Sequence, residues 1–213
     1  MSEIRTLLDH ALLQTAAESY LHELDFGDIE EVEKRLKAGA NDFDKNPAAL
    51  ADPNLAVKTR FTNEQADWFT ENYDIIDHLA NTDSGFSATL MRKKGTNEYT
   101  LAFRSTESRF GEFDHARDPD LPDQGGEWAR DGKLGADGEI FEKGFAFGQL
   151  ADMEDYIAHL AAGETFNETT QTWEASARLD DYKAWVGGGG KIFASGYSLG
   201  SHLATSATMM HPE

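Results

Sequence analysis

The sequence contains no cysteine. This absence excludes disulfide bonds, thiolate catalysis and Cys-ligated zinc sites. Long apolar runs are also missing, because polar residues interrupt every hydrophobic stretch well short of the ~18 residues that span a bilayer. The N-terminal segment is unlike a signal peptide, since His10 and several acidic residues divide its apolar residues. We therefore expect a soluble protein, either cytoplasmic or exported by a signal at its C-terminal end.

Basic residues are scarce. The chain has 19 Lys and Arg against 39 Asp and Glu, which gives a net charge of −20 at pH 7. Such a charge repels phosphates and disfavours nucleic acids and anionic membrane surfaces as partners. Three interpretations stay open: the charge keeps the protein soluble, it binds calcium, or it belongs to a piece of a larger protein. Solubility is the simplest of the three.

The N-terminal part has helical patterning. Hydrophobic residues make up 39% of the chain, enough for one domain with a buried core. The spacing of apolar residues predicts an amphipathic helix over residues 3–24. Capping signals predict a short helix over 28–39 and another that begins at residue 62 and runs to 79. Residues 1–82 are therefore predicted to form a helical N-terminal part of the domain.

The pattern then changes to strands and loops. Residues 86–92 and 98–104 are rich in strand formers, and the Lys-Gly-Thr-Asn sequence between them predicts a hairpin. An irregular acidic segment, 105–140, is typical of a functional loop or lid. Further helices are predicted over 142–162 and 168–186. The large aromatic residues predicted to lie in the core are Phe86, Phe103, Phe145, Phe147 and Phe193.

A Gly-Tyr-Ser-Leu-Gly sequence, residues 196–200, lies between a short predicted strand and a predicted helix. A turn this sharp strains the backbone at its apex, Ser198, while Gly196 and Gly200 relieve clashes between strand and helix. It also lifts the Ser198 hydroxyl out of the sheet. The first amides of the helix, together with its dipole, then favour an oxyanion that develops beside the serine. We therefore interpret Ser198 as a nucleophile.

Two motifs carry a resemblance to a known family. Residues 193–204, Phe-Ala-Ser-Gly-Tyr-Ser-Leu-Gly-Ser-His-Leu-Ala, resemble the nucleophile elbow of the lipase class 3 group of α/β-hydrolases. The Phe-Arg-Ser-Thr sequence at 103–106 is similar to the Phe-Arg-Gly-Thr signature of the same group. The resemblance covers roughly residues 86–210. The helical N-terminus and the length of the acidic segment are similar to those of bacterial lipases and phospholipases of this group. The resemblance implies an α/β fold with an α/β-hydrolase-like sheet flanked by helices.

The resemblance also implies a serine ester hydrolase of lipase, phospholipase or esterase type. Ser198 matches the nucleophile of the group. The amide of Leu199 matches one oxyanion donor, and the amide and hydroxyl of Thr106 match the second donor. Ser105 and Ser201 depart from the group, which has glycine at both positions. The implied substrates are acylglycerols, phospholipids or simpler esters, and no cofactor is required.

The triad of this fold runs Ser, Asp, His along the chain, yet the sequence ends at Glu213. His202 lies on the turn of Ser198, and His211 lies ~18 Å along the following helix, so neither is a credible base. We expect a domain, 1–213, that is truncated after the elbow helix, nearly inert alone, and dependent on a missing C-terminal segment or partner chain for Asp and His. The remaining histidines are read as helix-surface residues: His10, His22, His78, His115 and His159.

Two other functions stay open. A binding or structural module that keeps the lipase fold without its chemistry fits the absent Asp and His. An acidic calcium-binding protein is the other, because Asp114, Asp118 and Asp120 offer the oxygen ligands that calcium prefers. Their spacing matches no EF-hand loop, so a solvated acidic loop is the simpler interpretation and no metal site is assigned.

Overall fold

The computed structural model describes residues 3–39, 60–82, 84–105 and 136–212. The helices in these ranges are α1 (Glu3–Ala17), α2 (Ile29–Ala38), α3 (Asn63–Asn72), α4 (Ala136–Lys143), α5 (Phe147–Ala162), α6 (Asp180–Gly187) and α7 (Leu199–Met210). The strands are β1 (Tyr73–Leu79), β2 (Ala88–Lys93), β3 (Tyr99–Phe103), β4 (Glu164–Asn167), β5 (Thr172–Ala175) and β6 (Phe193–Gly196). None of these helices combines the length and apolar character that crossing a membrane requires.

The main sheet of the described residues has the strand order β1-β2-β3-β6. The first three strands are antiparallel, whereas β6 runs parallel to β3. The hairpin predicted from the sequence is confirmed, since β2 and β3 pair with Leu90 opposite Leu101. This mixed sheet, flanked by helices, confirms the general α/β class.

Both faces of the sheet are buried against helices. Successive strand residues point to opposite faces, so Leu90 and Leu101 enter one core while their neighbours Met91 and Ala102 enter the other. Helices α5, α6 and α7 cover the first face with buried residues such as Tyr156, Tyr182 and Leu203. Helices α1, α2 and α3 cover the second with Leu13, Leu36 and Phe69. Two helical layers therefore hold the sheet that carries the predicted nucleophile.

The predicted helix over 62–79 is wrong in its second half. Its beginning is confirmed, because Thr62 and Gln65 form a reciprocal capping box. The helix ends at Asn72, where β1 begins and pairs with β2. The N-terminal part, 1–82, therefore contributes a strand to the sheet. Adjacent residues Ile75 and Ile76 lie in opposite cores. They belong to a run of apolar residues that fits the period of a helix as well as that of a strand.

Helix α1 is shorter than predicted, and only its second half is buried. It ends at Ala17 rather than at residue 24. The apolar residues of its first half are exposed, with Ile4, Leu7 and Leu8 at 79%, 69% and 58%. Its buried residues come from the second half: Leu13, Gln14, Ala16 and Ala17. Contact with β3 rather than helical periodicity alone decides which face is covered.

The predicted helix over 168–186 is also wrong in its first half. Strands β4 and β5 form a hairpin there, and α6 begins only at Asp180. The Asn167 side chain accepts hydrogen bonds from the amides of Thr169 and Thr170, which stabilises the turn. On β5, Trp173 stacks on His159 with ring centroids 4.0 Å apart. Local turn chemistry and this aromatic contact therefore override the helical pattern.

Two of the five phenylalanines predicted to lie in the core are buried. Phe86 and Phe103 are fully buried, as predicted. Phe145, Phe147 and Phe193 are 46%, 52% and 51% exposed, so the prediction that they lie in the core is wrong. Phe193 begins β6, which pairs on one side with β3, and its ring contacts His10 of α1.

Candidate active site

The candidate site lies where β3 and β6 end. These strands are parallel, and Phe103 pairs with Gly196, the last residue of β6. Because neighbouring parallel strands end at the same edge of a sheet, the residues after both strands emerge side by side. The predicted order of strand, tight turn and helix is confirmed, since only Tyr197 and Ser198 separate β6 from α7.

Ser198 occupies the apex of this turn in a strained conformation. Its φ of 52° and ψ of −122° place a non-glycine residue at positive φ. The residue is exposed. Its carbonyl accepts hydrogen bonds from the amide of Ser201 at 2.9 Å and from the Ser201 hydroxyl at 2.6 Å. The Ser201 side chain therefore closes the first turn of α7.

The two glycines of the motif allow backbone to approach backbone. A Cβ on Gly196 would lie 1.9 Å from the carbonyl oxygen of Gly200. A Cβ on Gly200 would lie 2.3 Å from the carbonyl oxygen of Phe103 and 2.9 Å from that of Arg104. Side chains have no room at either position. The strand, the turn and the first turn of α7 therefore pack directly on one another and on the end of β3.

Leu199 begins α7 and is only 4% exposed. Its side chain lies in a small cluster with Ala136, Ile140 and Ala146 around α4. This burial holds the first turn of α7, whose positive dipole end lies beside Ser198. The assignment of the Leu199 amide as an oxyanion donor stays a prediction. Thr106, predicted to supply the second donor, lies outside the described residues.

The two histidines nearest in sequence have other partners. The Ala146 amide donates to Nε2 of His202 at 3.5 Å, and the His202 ring lies 5.6 Å from that of Phe145. Partial burial lowers the pKa of His202. His211 Nε2 lies 2.8 Å from Oε1 of Glu154. His202 and His211 therefore have Ala146 and Glu154 as partners, and the expectation that neither histidine is the base stays a prediction.

The prediction that His78 is a helix-surface residue is wrong. His78 lies on β1, is 9% exposed, and its Nδ1 is hydrogen-bonded to Thr89 Oγ1 at 2.9 Å. Burial lowers the pKa of His78 to about 3, with further contributions from the positive charge of Arg104 and from His22. The imidazole is therefore a neutral component of the core.

A cavity of about 430 Å³ opens beside the elbow. Residues from α1 line one side, and Ser105, Gly196 and Tyr197 line the other. A volume of this order lies in the range of small-molecule sites. The residues on the first side are His10, Ala11, Gln14 and Thr15 of α1 and Glu18, which directly follows this helix.

Sequence reasoning missed a contact between α1 and the segment after β3. The Glu18 carboxylate accepts the Ser105 amide at 3.0 Å and the Ser105 hydroxyl at 2.8 Å. Gln14 Nε2 donates to Glu18 Oε1 at 2.8 Å and to the Phe103 carbonyl at 2.9 Å. The contact joins residues 87 positions apart, which no local sequence pattern reports.

No group of three or more potential metal ligands is found within the described ranges. Asp114, Asp118 and Asp120, the residues considered for calcium, lie outside those ranges. The acidic calcium-binding interpretation therefore gains no support from the structure.

No family model matches the chain, and neither does any curated protein or solved structure. The case for a function therefore depends on the geometry around Ser198.

Replacing Ser198 by glycine is expected to stabilise the protein by about 1 kcal/mol, because glycine adopts positive φ without steric strain. Ser198→Ala keeps the Cβ and hence the strain, so its free energy of unfolding should match that of the parent within ~0.5 kcal/mol. Urea unfolding of the three proteins measures both effects. A Ser198→Gly variant less stable than Ser198→Ala would contradict the strained elbow.

Proposed function

We propose that this chain carries the nucleophile of a serine ester hydrolase with an α/β-hydrolase-like fold. The observation that carries the proposal is the conformation of Ser198, exposed at positive φ between a sheet strand and a helix. Strain of this kind is retained where the surrounding structure requires it, typically at functional sites. The contacts of Gly196 and Gly200 impose that geometry here.

In the proposed reaction, the Ser198 hydroxyl attacks an ester carbonyl and its proton passes to a base. The carbonyl oxygen becomes an oxyanion at the first turn of α7, where the Leu199 amide donates, with Thr106 as the proposed second donor. The tetrahedral intermediate expels the alcohol, which takes the proton, and leaves an acyl-enzyme. Water then attacks the acyl group and releases the acid and free Ser198.

The proposed base comes from another part of the protein or from a partner chain, together with its acid. His202 and His211 are engaged by Ala146 and Glu154, which supports this part of the proposal. The cavity between α1 and the elbow offers space for one portion of the ester. Acylglycerols, phospholipids and simpler esters all carry the required carbonyl.

Intact mass after reaction with a fluorophosphonate probe tests the nucleophile. Ser198 should displace fluoride and gain one phosphonyl adduct, slowly in this chain alone and faster with imidazole added as an external base. Thr208→Ala removes another exposed hydroxyl of α7 and should leave labelling unchanged. Ser198→Ala should gain no adduct.

Labelling that survives in Ser198→Ala would refute the assignment of Ser198 as the nucleophile. Absence of any adduct on the parent, even with imidazole, would instead favour the non-catalytic module. The observation that favours this second function is that His202 contacts Ala146 and His211 contacts Glu154.

A further inference from the structure

Glu18 is a buried acid that binds the backbone beside the candidate site. It follows the last residue of α1 and is 8% exposed. Both carboxylate oxygens are used on Ser105, since Oε1 accepts the amide and Oε2 accepts the hydroxyl. Hydrogen bonds to a carboxylate are stronger than those between neutral groups, and breaking one in a buried place is costly.

Gln14 extends this contact by one turn of α1. It is also 8% exposed, and its Nε2 bridges Glu18 Oε1 and the carbonyl of Phe103. Glu18 and Gln14 together therefore hold the peptide on both sides of Arg104. We call these two side chains and the peptide from Phe103 to Ser105 the α1 clamp.

The α1 clamp holds the surface on which the elbow packs. A Cβ on Gly200 would meet the carbonyl oxygens of Phe103 and Arg104, so the first turn of α7 rests directly on the clamped peptide. A shift of that peptide would move the turn that carries Ser198 and the Leu199 amide. Misplacement by about 1 Å is enough to reduce a rate by orders of magnitude.

We propose that Glu18 is a positioning residue for the ester hydrolase reaction. Its carboxylate holds the Ser105 peptide, and the peptide in turn holds the first turn of α7 in the geometry for attack. This role rests on the proposed function. It also assigns a purpose to the Ser105 side chain, whose hydroxyl donates to Oε2 of Glu18.

The test combines two measurements on the full chain. Amide hydrogen exchange of peptides covering 99–105 and 196–203 reports the clamp whether or not the serine reacts. The rate of fluorophosphonate labelling, with imidazole present, reports the geometry of Ser198. A peptide within 149–160 of α5 serves as the reference for general destabilisation. The control variant is Glu30→Gln, an exposed acid on α2 away from the site.

Glu18→Ala should raise exchange in both site peptides about tenfold relative to the α5 peptide and slow labelling about tenfold. Ser105→Ala, which loses only the hydroxyl contact, should show the same changes at smaller size. The double variant should be little worse than Glu18→Ala, because the two residues share one interaction. Glu30→Gln should change neither readout.

Unchanged exchange at 196–203 in a folded Glu18→Ala protein would overturn the proposal. Exchange that rises equally in the α5 peptide would also overturn it, because Glu18 would then be only structural. If the parent takes no label, the hydrolase function fails, while exchange still decides whether the clamp holds the elbow.

Discussion

Gly196→Ala is expected to lower the free energy of unfolding by about 3 kcal/mol or more. The new Cβ would lie 1.9 Å from the Gly200 carbonyl oxygen and 2.2 Å from its carbonyl carbon. Both atoms belong to the backbone of α7, so no side-chain rotation relieves the clash. The first turn of α7 must separate from β6, and fluorophosphonate labelling of Ser198 should be lost with it.

The control for this effect is Gly187→Ala at the end of α6. A Cβ on Gly187 would meet nothing within 4 Å, and alanine is the better helix former. This variant should be as stable as the parent or more stable by about 0.5 kcal/mol. Urea unfolding of both proteins is the measurement. A Gly196→Ala protein with the stability of Gly187→Ala would disprove the close contact between β6 and α7.

Acidification from about pH 7 to about pH 5 is expected to destabilise the protein by about 2 kcal/mol through His78 alone. The pKa of His78 is lowered from 6.5 to about 3 by burial, so the folded protein keeps this imidazole neutral. The unfolded chain takes up a proton near pH 6.5. Between about pH 7 and about pH 5 the unfolded state therefore binds more protons than the folded state, and the free energy of unfolding decreases as the pH falls.

His78→Asn removes the titration and keeps a polar atom near Thr89. It should be less stable than the parent at neutral pH, because it leaves a cavity, and this difference should shrink as the pH falls. Burial raises the pKa of Asp77, so this carboxyl adds stability as the pH falls. It does so in both proteins and therefore does not change the difference between them. Urea unfolding at several pH values tests the difference, with exposed His211→Gln as control. A constant difference between parent and His78→Asn would contradict a neutral, buried His78.

The elbow was predictable because its determinants are local. Five consecutive residues, 196–200, contain the strained apex and the two glycines. The spacing of apolar residues is that of a strand before this segment and that of a helix after it. The β2–β3 hairpin was predictable for the same reason, since a short turn joins its two strands. Sequence neighbours make these contacts, so the pattern contains the information.

The strand β1 was not predictable in this way. The apolar run that includes Ile75, Ile76 and Leu79 fits the end of helix α3 as well as it fits a strand. Pairing with β2 settles the choice, and it also buries His78. Periodicity reports how apolar residues repeat, but the partner that pairs with a backbone lies elsewhere in the chain.

The sequence by itself determined the α/β class, the β2–β3 hairpin and the strained turn at Ser198. Only the tertiary structure decided that Glu18 and Gln14 hold the peptide after β3, and that this peptide supports Gly200. A motif records contacts between residues a few positions apart. The α1 clamp joins residues 87 positions apart, and no local pattern encodes which buried carboxylate will reach a distant amide.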